Sequence, residues 1–189
     1  RGAKWVAMPS GGPLHVSLLV ADDDGVGPTG PALTDAVTSM LGRTLLVGII
    51  CEDLADPGNR VDLDPVLVDS SGLPAPRVTY ALSENSRRMV DWHLQACATA
   101  LEASGAHTVM RFPVMPDQPG HLMGTARMGT DPSTSVVDPW CRSHDIPNLL
   151  IVDGSVFVTS AGVNPTNTIA ALARRAVSAL IDRAAEQLT

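Results

Sequence analysis

The sequence has few aromatic residues and no cluster of basic residues. Aromatic side chains make up 3% of its 189 residues, too few for a platform on which bases or sugar rings could stack. The net charge is −7, and the 13 Lys and Arg residues are scattered along the chain. Because phosphate binding requires clustered positive charge, we expect no nucleic acid partner.

Cysteines and long apolar runs are also scarce. Cys51, Cys97 and Cys141 lie far apart, are odd in number and match no metal-binding spacing. A disulfide framework is therefore not expected, and a reducing, cytoplasmic location is the default. Apolar runs such as 45–51 are far shorter than the ~20 residues that a membrane-spanning helix needs. No signal-peptide pattern opens the sequence. It begins with Arg1 rather than Met, so we expect either that its start has been processed away or that it is part of something longer.

The sequence does contain enough hydrophobic residues for a core and many residues that form turns. Hydrophobic residues make up 44% of it, and Gly and Pro number 16 and 15. This composition excludes a disordered chain and favours a loop-rich protein with both helices and strands. Short strands at 15–20, 44–51, 60–64 and 77–82 are separated by turns, which predicts a mainly antiparallel sheet flanked by helices, an α+β fold. The run Asp22-Asp-Asp24 lacks the alternating spacing of a calcium loop and is interpreted as a solvated turn.

Two helices are predicted in the second half. The first has Ser83 as its N-cap and ends at Gly105, and Cys97 lies on its apolar stripe as a small core residue. The second follows a strand over 148–153 and a loop that begins at Gly154; Asn164 is its expected N-cap and Pro165 its first turn. The change from antiparallel strands to this strand-loop-helix unit suggests a boundary near residue 147. The N–H groups at such a helix start can bind anions.

The segment 121–129 is the strongest candidate for a functional site. It places His121 in an irregular, glycine-containing stretch, and glycine permits close approach of backbone to a ligand. Taken alone, His121 is either functional or a partly buried histidine held by one hydrogen bond. Ser155 lies outside any nucleophile-elbow pattern, so a serine hydrolase is not expected. The remaining histidines lack metal-binding spacing, so we expect no metal site.

Four ordered sequence blocks resemble the C-terminal signature of the glucose-methanol-choline (GMC) family of flavin oxidoreductases. The blocks are His121-x-x-Gly-Thr-x-Arg-Met-Gly129, Ser135-Val-Val-Asp138, Asn148-Leu-x-x-x-Asp-Gly-Ser155 and Gly162-Val-Asn-Pro-Thr-x-Thr-Ile169. Weaker similarity extends back to about residue 45. Within the family the sequence is most similar to sugar and polyol dehydrogenases.

The resemblance implies a catalytic pair. In this family a hydride passes from an alcohol carbon to flavin N5 while the hydroxyl proton goes to a base. His121 matches the catalytic histidine, and Asn164 matches its His or Asn partner. Histidine titrates near neutral pH and can serve as a base, and an asparagine amide can hold the same oxygen by a hydrogen bond. Without the resemblance, Asn164 is interpreted as a simple N-cap.

The resemblance also implies FAD as the cofactor. Asp153 and Gly154 match the position near the ribityl chain and pyrophosphate. The helix start at Asn164, Pro165, Thr166 and Asn167 matches the wall of the pocket near flavin N1 and O2. Proline has no N–H, so Thr166 and Asn167 are the expected donors, and the helix dipole favours the negative charge of reduced flavin. Without the resemblance, Asp153 is a strand-end turn residue.

The sequence departs from the family in lacking the G-x-G-x-x-G fingerprint of a Rossmann-type FAD domain. We therefore expect residues 1–147 to form the substrate-binding domain, and residues 148–189 to form a strand-loop-helix that returns to an FAD domain carried by a missing N-terminal segment or chain. The expected substrate is a small alcohol or sugar, and FAD binding by this chain alone should be weak. The alternative is a non-catalytic carbohydrate- or partner-binding module that keeps this fold.

Overall fold

The computed structural model describes residues 2–9, 11–20, 26–112 and 120–187. The predicted turn at Asp22-Asp-Asp24 lies outside the described residues. The chain has an α+β architecture, as the sequence predicts. Its elements are β1 (Ala3–Pro9), α1 (Pro13–Leu19), α2 (Pro31–Met40), β2 (Leu45–Cys51), β3 (Arg60–Val68), β4 (Pro74–Thr79), α3 (Glu84–Ala103), a 3₁₀ turn (Gly154–Val156) and α4 (Thr166–Gln187).

One compact unit comprises Lys4–Ile50. Its strands β1 and β2 pair in a two-stranded sheet, and its helices α1 and α2 pack together. The strand predicted at 15–20 is wrong, because this run lies mostly in α1. Pro13 opens that helix, and the N–H of Val16 donates to the carbonyl of Gly12 at 3.2 Å. A run this short carries too little periodicity to separate helix from strand.

The other unit comprises Arg1–Ala3 and Cys51–Thr189. Its strands β3 and β4 form an antiparallel hairpin in which Arg60 faces Thr79 and Leu63 faces Pro76. The antiparallel pairing is confirmed for these two strands, although β4 begins and ends three residues earlier than predicted. Pro76 looks like a break in the sequence, but proline is tolerated in a strand where its missing N–H faces away from the partner.

Helix α3 begins and ends as predicted. The Ser83 hydroxyl oxygen accepts a hydrogen bond from the N–H of Ser86 at 3.1 Å, which caps the first turn. The helix is followed by Gly105, whose φ of 94° lies in the left-handed region that glycine readily adopts. Cys97 is buried, as expected for a small core residue.

The strand predicted at 148–153 is wrong. This apolar run makes a single isolated bridge, between Arg142 and Leu150, and the N–H of Ile151 donates to the carbonyl of Cys141 at 3.0 Å. Its side chains nevertheless pack against the hydrophobic core formed by Val137, Cys141, Val156 and Ala176. An extended apolar segment can be half-buried by loops without entering a sheet, and the sequence pattern does not distinguish the two cases.

Helix α4 begins one residue later than predicted. The N–H of Ile169 donates to the carbonyl of Pro165 at 3.0 Å, so Pro165 rather than Asn164 occupies the N-cap position. Asn164 therefore precedes the helix, and its side chain is available for a different contact. Val177 and Leu180 on this helix are 48% and 41% exposed. Within the described ranges, no helix has the length and apolar character needed to cross a membrane.

Candidate active site

His121 and Asn164 meet through their side chains, although 43 positions separate them in the sequence. The Asn164 Nδ2 atom lies 2.9 Å from His121 Nε2. An amide NH₂ can only donate, so Nε2 is the acceptor of this hydrogen bond. Both residues are exposed in this chain, so the paired atoms can be approached by a ligand.

Two neighbouring segments hold His121 in place. Backbone N–H groups of alternate residues in 124–128 donate to the carbonyls of 154–156, at 3.4, 2.9 and 2.9 Å. His121 itself has a φ of 60°, in the left-handed region that non-glycine residues seldom occupy. Strained backbone of this kind persists where the surrounding structure imposes it, often at a functional site. The sequence gives no sign of this conformation.

Gly154 lies directly against the His121 segment. A Cβ atom at this position would lie 3.1 Å from the carbonyl oxygen of Leu122 and 3.5 Å from Ile169 Cδ1. These distances leave almost no room for a side chain. Glycine therefore allows the 3₁₀ turn, the His121 segment and α4 to converge at one place.

Asp153 caps the 3₁₀ turn. Its Oδ1 accepts from the Ser155 hydroxyl at 2.5 Å and from the Ser155 N–H at 2.8 Å. These two bonds hold the pKa of the Asp153 carboxyl below its ordinary value, and the bond from the hydroxyl has the larger effect. The Ser155 hydroxyl donates to this carboxylate, whose lowered pKa makes it a weaker base than an ordinary aspartate.

The start of α4 lies directly after Asn164. Pro165 is buried, whereas Thr166 and Asn167 are exposed. Because Ile169 makes the first bond within the helix, the preceding N–H groups have no partner inside it. Asn164 contacts His121, and the candidate donors Thr166 and Asn167 follow it within three positions of the chain.

Other polar groups in this region have structural roles. Arg127 Nε donates to the carbonyl of Thr134 at 2.7 Å, which orders the loop that follows the His121 segment. His144 Nε2 lies 2.9 Å from the Ser135 hydroxyl, which itself donates to the carbonyl of Asp131 at 2.6 Å. In the part of the chain that the structure describes, no group of three or more His, Cys, Asp or Glu residues could hold a metal ion.

Sequence reasoning missed one group of residues near the site. Ser160 and Asp53 contact each other across 107 positions of sequence. A serine in a loop and an aspartate after a strand carry no pattern that predicts a contact over such a separation.

Comparisons with known proteins identify the family. The family model described as GMC oxidoreductase matches residues 55–173, more than half of the chain. The chain therefore belongs to the GMC oxidoreductase family, and the resemblance of its four sequence blocks is confirmed.

Relatives and a solved structure agree. The chain is 42% identical over 152 residues to 2-methyl-1,2-propanediol dehydrogenase from Mycolicibacterium austroafricanum, an alignment that covers 80% of this chain and 28% of the relative. It is 37% identical over 131 residues to the fructose dehydrogenase large subunit from Gluconobacter japonicus, covering 69% and 24%. Pyridoxine 4-oxidase from Mesorbium loti shares the fold, with a TM-score of 0.51 and 21% identity over 74% of this chain and 30% of that one. The chain spans about a quarter of the length of the propanediol dehydrogenase and of the fructose dehydrogenase subunit.

Proposed function

We propose that this chain supplies the catalytic pair and one wall of the cofactor pocket of an FAD-dependent oxidoreductase that oxidises the CH–OH group of a sugar, polyol or other alcohol. The observation that carries the proposal is the 2.9 Å contact between Asn164 Nδ2 and His121 Nε2. It joins one proton acceptor and one hydrogen-bond donor at a single exposed point of the chain.

The two side chains have complementary tasks toward an alcohol. A hydroxyl group that enters between the two side chains displaces their hydrogen bond, and the lone pair of His121 Nε2 then accepts the hydroxyl proton. Asn164 Nδ2 donates a hydrogen bond to the substrate oxygen, where negative charge develops as the proton leaves. When bound, FAD would accept at flavin N5 the hydride that leaves the carbon bearing the hydroxyl group.

The residues at the start of α4 fit a flavin. The N–H groups of Thr166 and Asn167 precede the first bond within the helix, and together with the helix dipole they favour negative charge on a ligand. Gly154 allows the 3₁₀ turn to pack closely against the His121 segment, since a Cβ there would lie 3.1 Å from the carbonyl oxygen of Leu122. The ionised Asp153 beside it can accept hydrogen bonds from cofactor hydroxyl groups.

We further propose how the chain is divided. Residues 1–147 belong to the substrate-binding domain, and residues 148–189 return to a Rossmann-type domain that holds the ADP half of FAD and lies outside this sequence. On this basis the isolated chain should bind FAD weakly. A stoichiometric, tightly held flavin on the 189-residue chain alone, measured by its visible spectrum after desalting, would contradict this division.

The names of the relatives support an alcohol or sugar substrate. They include a propanediol dehydrogenase, a fructose dehydrogenase subunit and a gluconate 2-dehydrogenase flavoprotein. All three names describe substrates that carry hydroxyl groups, and the last names a flavoprotein.

The activity is tested on the full-length flavoprotein, which means this chain together with the proposed FAD-binding segment or chain. It is mixed anaerobically with a panel of sugars, polyols and simple alcohols. We expect loss of the visible absorbance of oxidised flavin with at least one of them, and slower loss when the carbinol carbon carries deuterium. O-methylated analogues, which have no hydroxyl proton to give, are the matched control. A panel that leaves the flavin oxidised while one of its sugars still binds would support the non-catalytic binding module instead.

A further inference from the structure

A single serine joins the loop that carries Asn164 to a distant segment. The Ser160 hydroxyl donates to the carbonyl of Asp53 at 2.6 Å and accepts from the N–H of Asp53 at 3.0 Å. One side chain thus satisfies both backbone groups of one residue. We call this arrangement the Ser160–Asp53 clasp.

The Asp53 side chain is itself fixed on the other side of the clasp. Its Oδ1 accepts from the Ser86 hydroxyl at 2.6 Å, and its Oδ2 accepts from the Tyr80 hydroxyl at 2.7 Å. Ser86 lies in the capped first turn of α3 and is buried. The clasp therefore ties the loop to the start of a 20-residue helix, not to a second loop.

The chain between Ser160 and Asn164 has little freedom. The N–H of Val163 donates to the carbonyl of Ala161 at 2.7 Å, which closes a tight turn. Gly162, inside that turn, lies so close to the backbone of Gly2 that a Cβ atom would meet the Gly2 carbonyl oxygen at 2.6 Å. We therefore expect a shift at Ser160 to reach Asn164, because this tight turn has few ways to absorb it.

We propose that Ser160 is a positioning residue, which through its clasp on Asp53 holds Asn164 Nδ2 within hydrogen-bond distance of His121 Nε2. His121 is supported separately, by the bonds between segments 124–128 and 154–156. The 2.9 Å contact thus depends on the bonds that hold the His121 segment and on those that hold the loop before Asn164, and the Ser160 side chain contributes to the second set. This inference rests on the proposed function, since it assigns Ser160 a role in the same reaction.

The test uses the full-length flavoprotein carrying Ser160→Ala. We expect its flavin content to match that of wild type and its single-turnover rate of flavin reduction to fall about 10-fold, because displacements of the order of 1 Å in a catalytic group can cost up to ~100-fold. Ser160→Thr, which keeps the hydroxyl, should recover most of the rate. Ser104→Ala is the matched control: its exposed hydroxyl donates to the carbonyl of Ala100 at 2.7 Å, far from the site in sequence, and its rate should equal that of wild type.

A double-mutant cycle separates positioning from general destabilisation. If Ser160 acts through Asn164, Ser160→Ala should lower the rate less than about 2-fold in an Asn164→Ala background, since mutations in one interacting unit are not additive. Equal losses in both backgrounds would overturn the proposal. If the alanine variant binds no FAD, Ser160→Cys, of similar size but a weak hydrogen-bond partner, takes its place in the same cycle.

A crystal structure of the Ser160 variant gives a readout that does not depend on activity. We expect the separation of Asn164 Nδ2 and His121 Nε2 to increase beyond hydrogen-bond range, and a contact still near 2.9 Å would overturn the proposal. Failure of the proposed function would look different. In that case Asn164→Ala would leave flavin reduction unchanged, while the crystallographic distance would still report on the clasp.

Discussion

Replacing Gly162 by alanine should destabilise the protein strongly, because the new methyl group has no space. A Cβ at this position would lie 2.6 Å from the carbonyl oxygen of Gly2 and 2.9 Å from both the Gly2 carbonyl carbon and Ala3 Cα. All three are backbone atoms, so no flexible side chain can rotate away. Residue 162 or residues 2–3 must therefore shift by several tenths of an ångström.

The magnitude follows from the cost of overpacking. Inserting a methyl group into a tightly packed place costs about 1–3 kcal/mol, and rigid backbone neighbours favour the upper part of that range. With a urea dependence of about 2 kcal/mol per molar, a loss of about 2 kcal/mol lowers the unfolding midpoint by about 1 M.

The assay is urea unfolding of the 189-residue chain, followed by tryptophan fluorescence. Trp92 and Trp140 belong to the same compact unit as Gly162, whereas Trp5 belongs to the other, so Trp5→Phe is used as the background for this measurement. Gly120→Ala is the matched control, because a Cβ there meets no atom of the described residues within 4 Å, and its midpoint should be unchanged. A Gly162→Ala midpoint equal to that of wild type would refute the packing argument and the rigid loop on which the role of Ser160 depends.

Three further predictions test the surroundings of the site. Partial desolvation, and to a smaller extent the hydrogen bond to Asp53, raises the pKa of Tyr80 to about 12. The stability that the protonated Tyr80 side chain contributes is present below the ordinary pKa of 10 and is lost as the pH rises through about 12. Since Tyr80 is the single tyrosine of the 189-residue chain, ultraviolet titration of that chain should detect one ionisation near that pH, and Asp53→Asn should lower it; an ionisation near 10 in wild type would contradict the contact. Burial raises the pKa of Cys97 and Cys141, so both thiols should react with a disulfide reagent at least about 10-fold more slowly in the folded than in the denatured chain, and equal rates would count against their burial. Val137, fully buried in the core cluster, should lose about 2 kcal/mol of unfolding free energy on Val137→Ala, whereas a loss below about 0.5 kcal/mol would mean that the cluster is not tightly packed.

Local signals were sufficient for part of the fold. The Ser83 cap, the apolar stripe through Cys97 and the terminal Gly105 are all written within one stretch of sequence, so α3 could be predicted with its ends. The segment 148–153 could not be assigned correctly, because its apolar run meets the core through loops and pairs at one bridge only. Whether such a run becomes a strand depends on distant partners that local pattern does not encode.

The candidate site, too, could be predicted from the sequence only in part. The sequence blocks pointed to His121 and Asn164, and the structure brings their side chains together at 2.9 Å. The helix start was misplaced by one residue, because asparagine is a good N-cap in general whereas here its side chain contacts His121. The clasp between Ser160 and Asp53 joins residues 107 positions apart through backbone atoms, so no residue-type pattern could have indicated it.

The central claim is that His121 accepts the hydroxyl proton of an alcohol while the flavin takes up the hydride. The most direct measurement is the single-turnover rate of flavin reduction in the full-length protein carrying His121→Ala, with flavin occupancy determined in the same sample. We predict unchanged occupancy and a rate lowered about 100- to 10,000-fold, as for loss of a general base. His107→Ala, an exposed histidine outside the site, should keep the wild-type rate. A His121→Ala protein that holds FAD and is reduced at the wild-type rate would contradict the account.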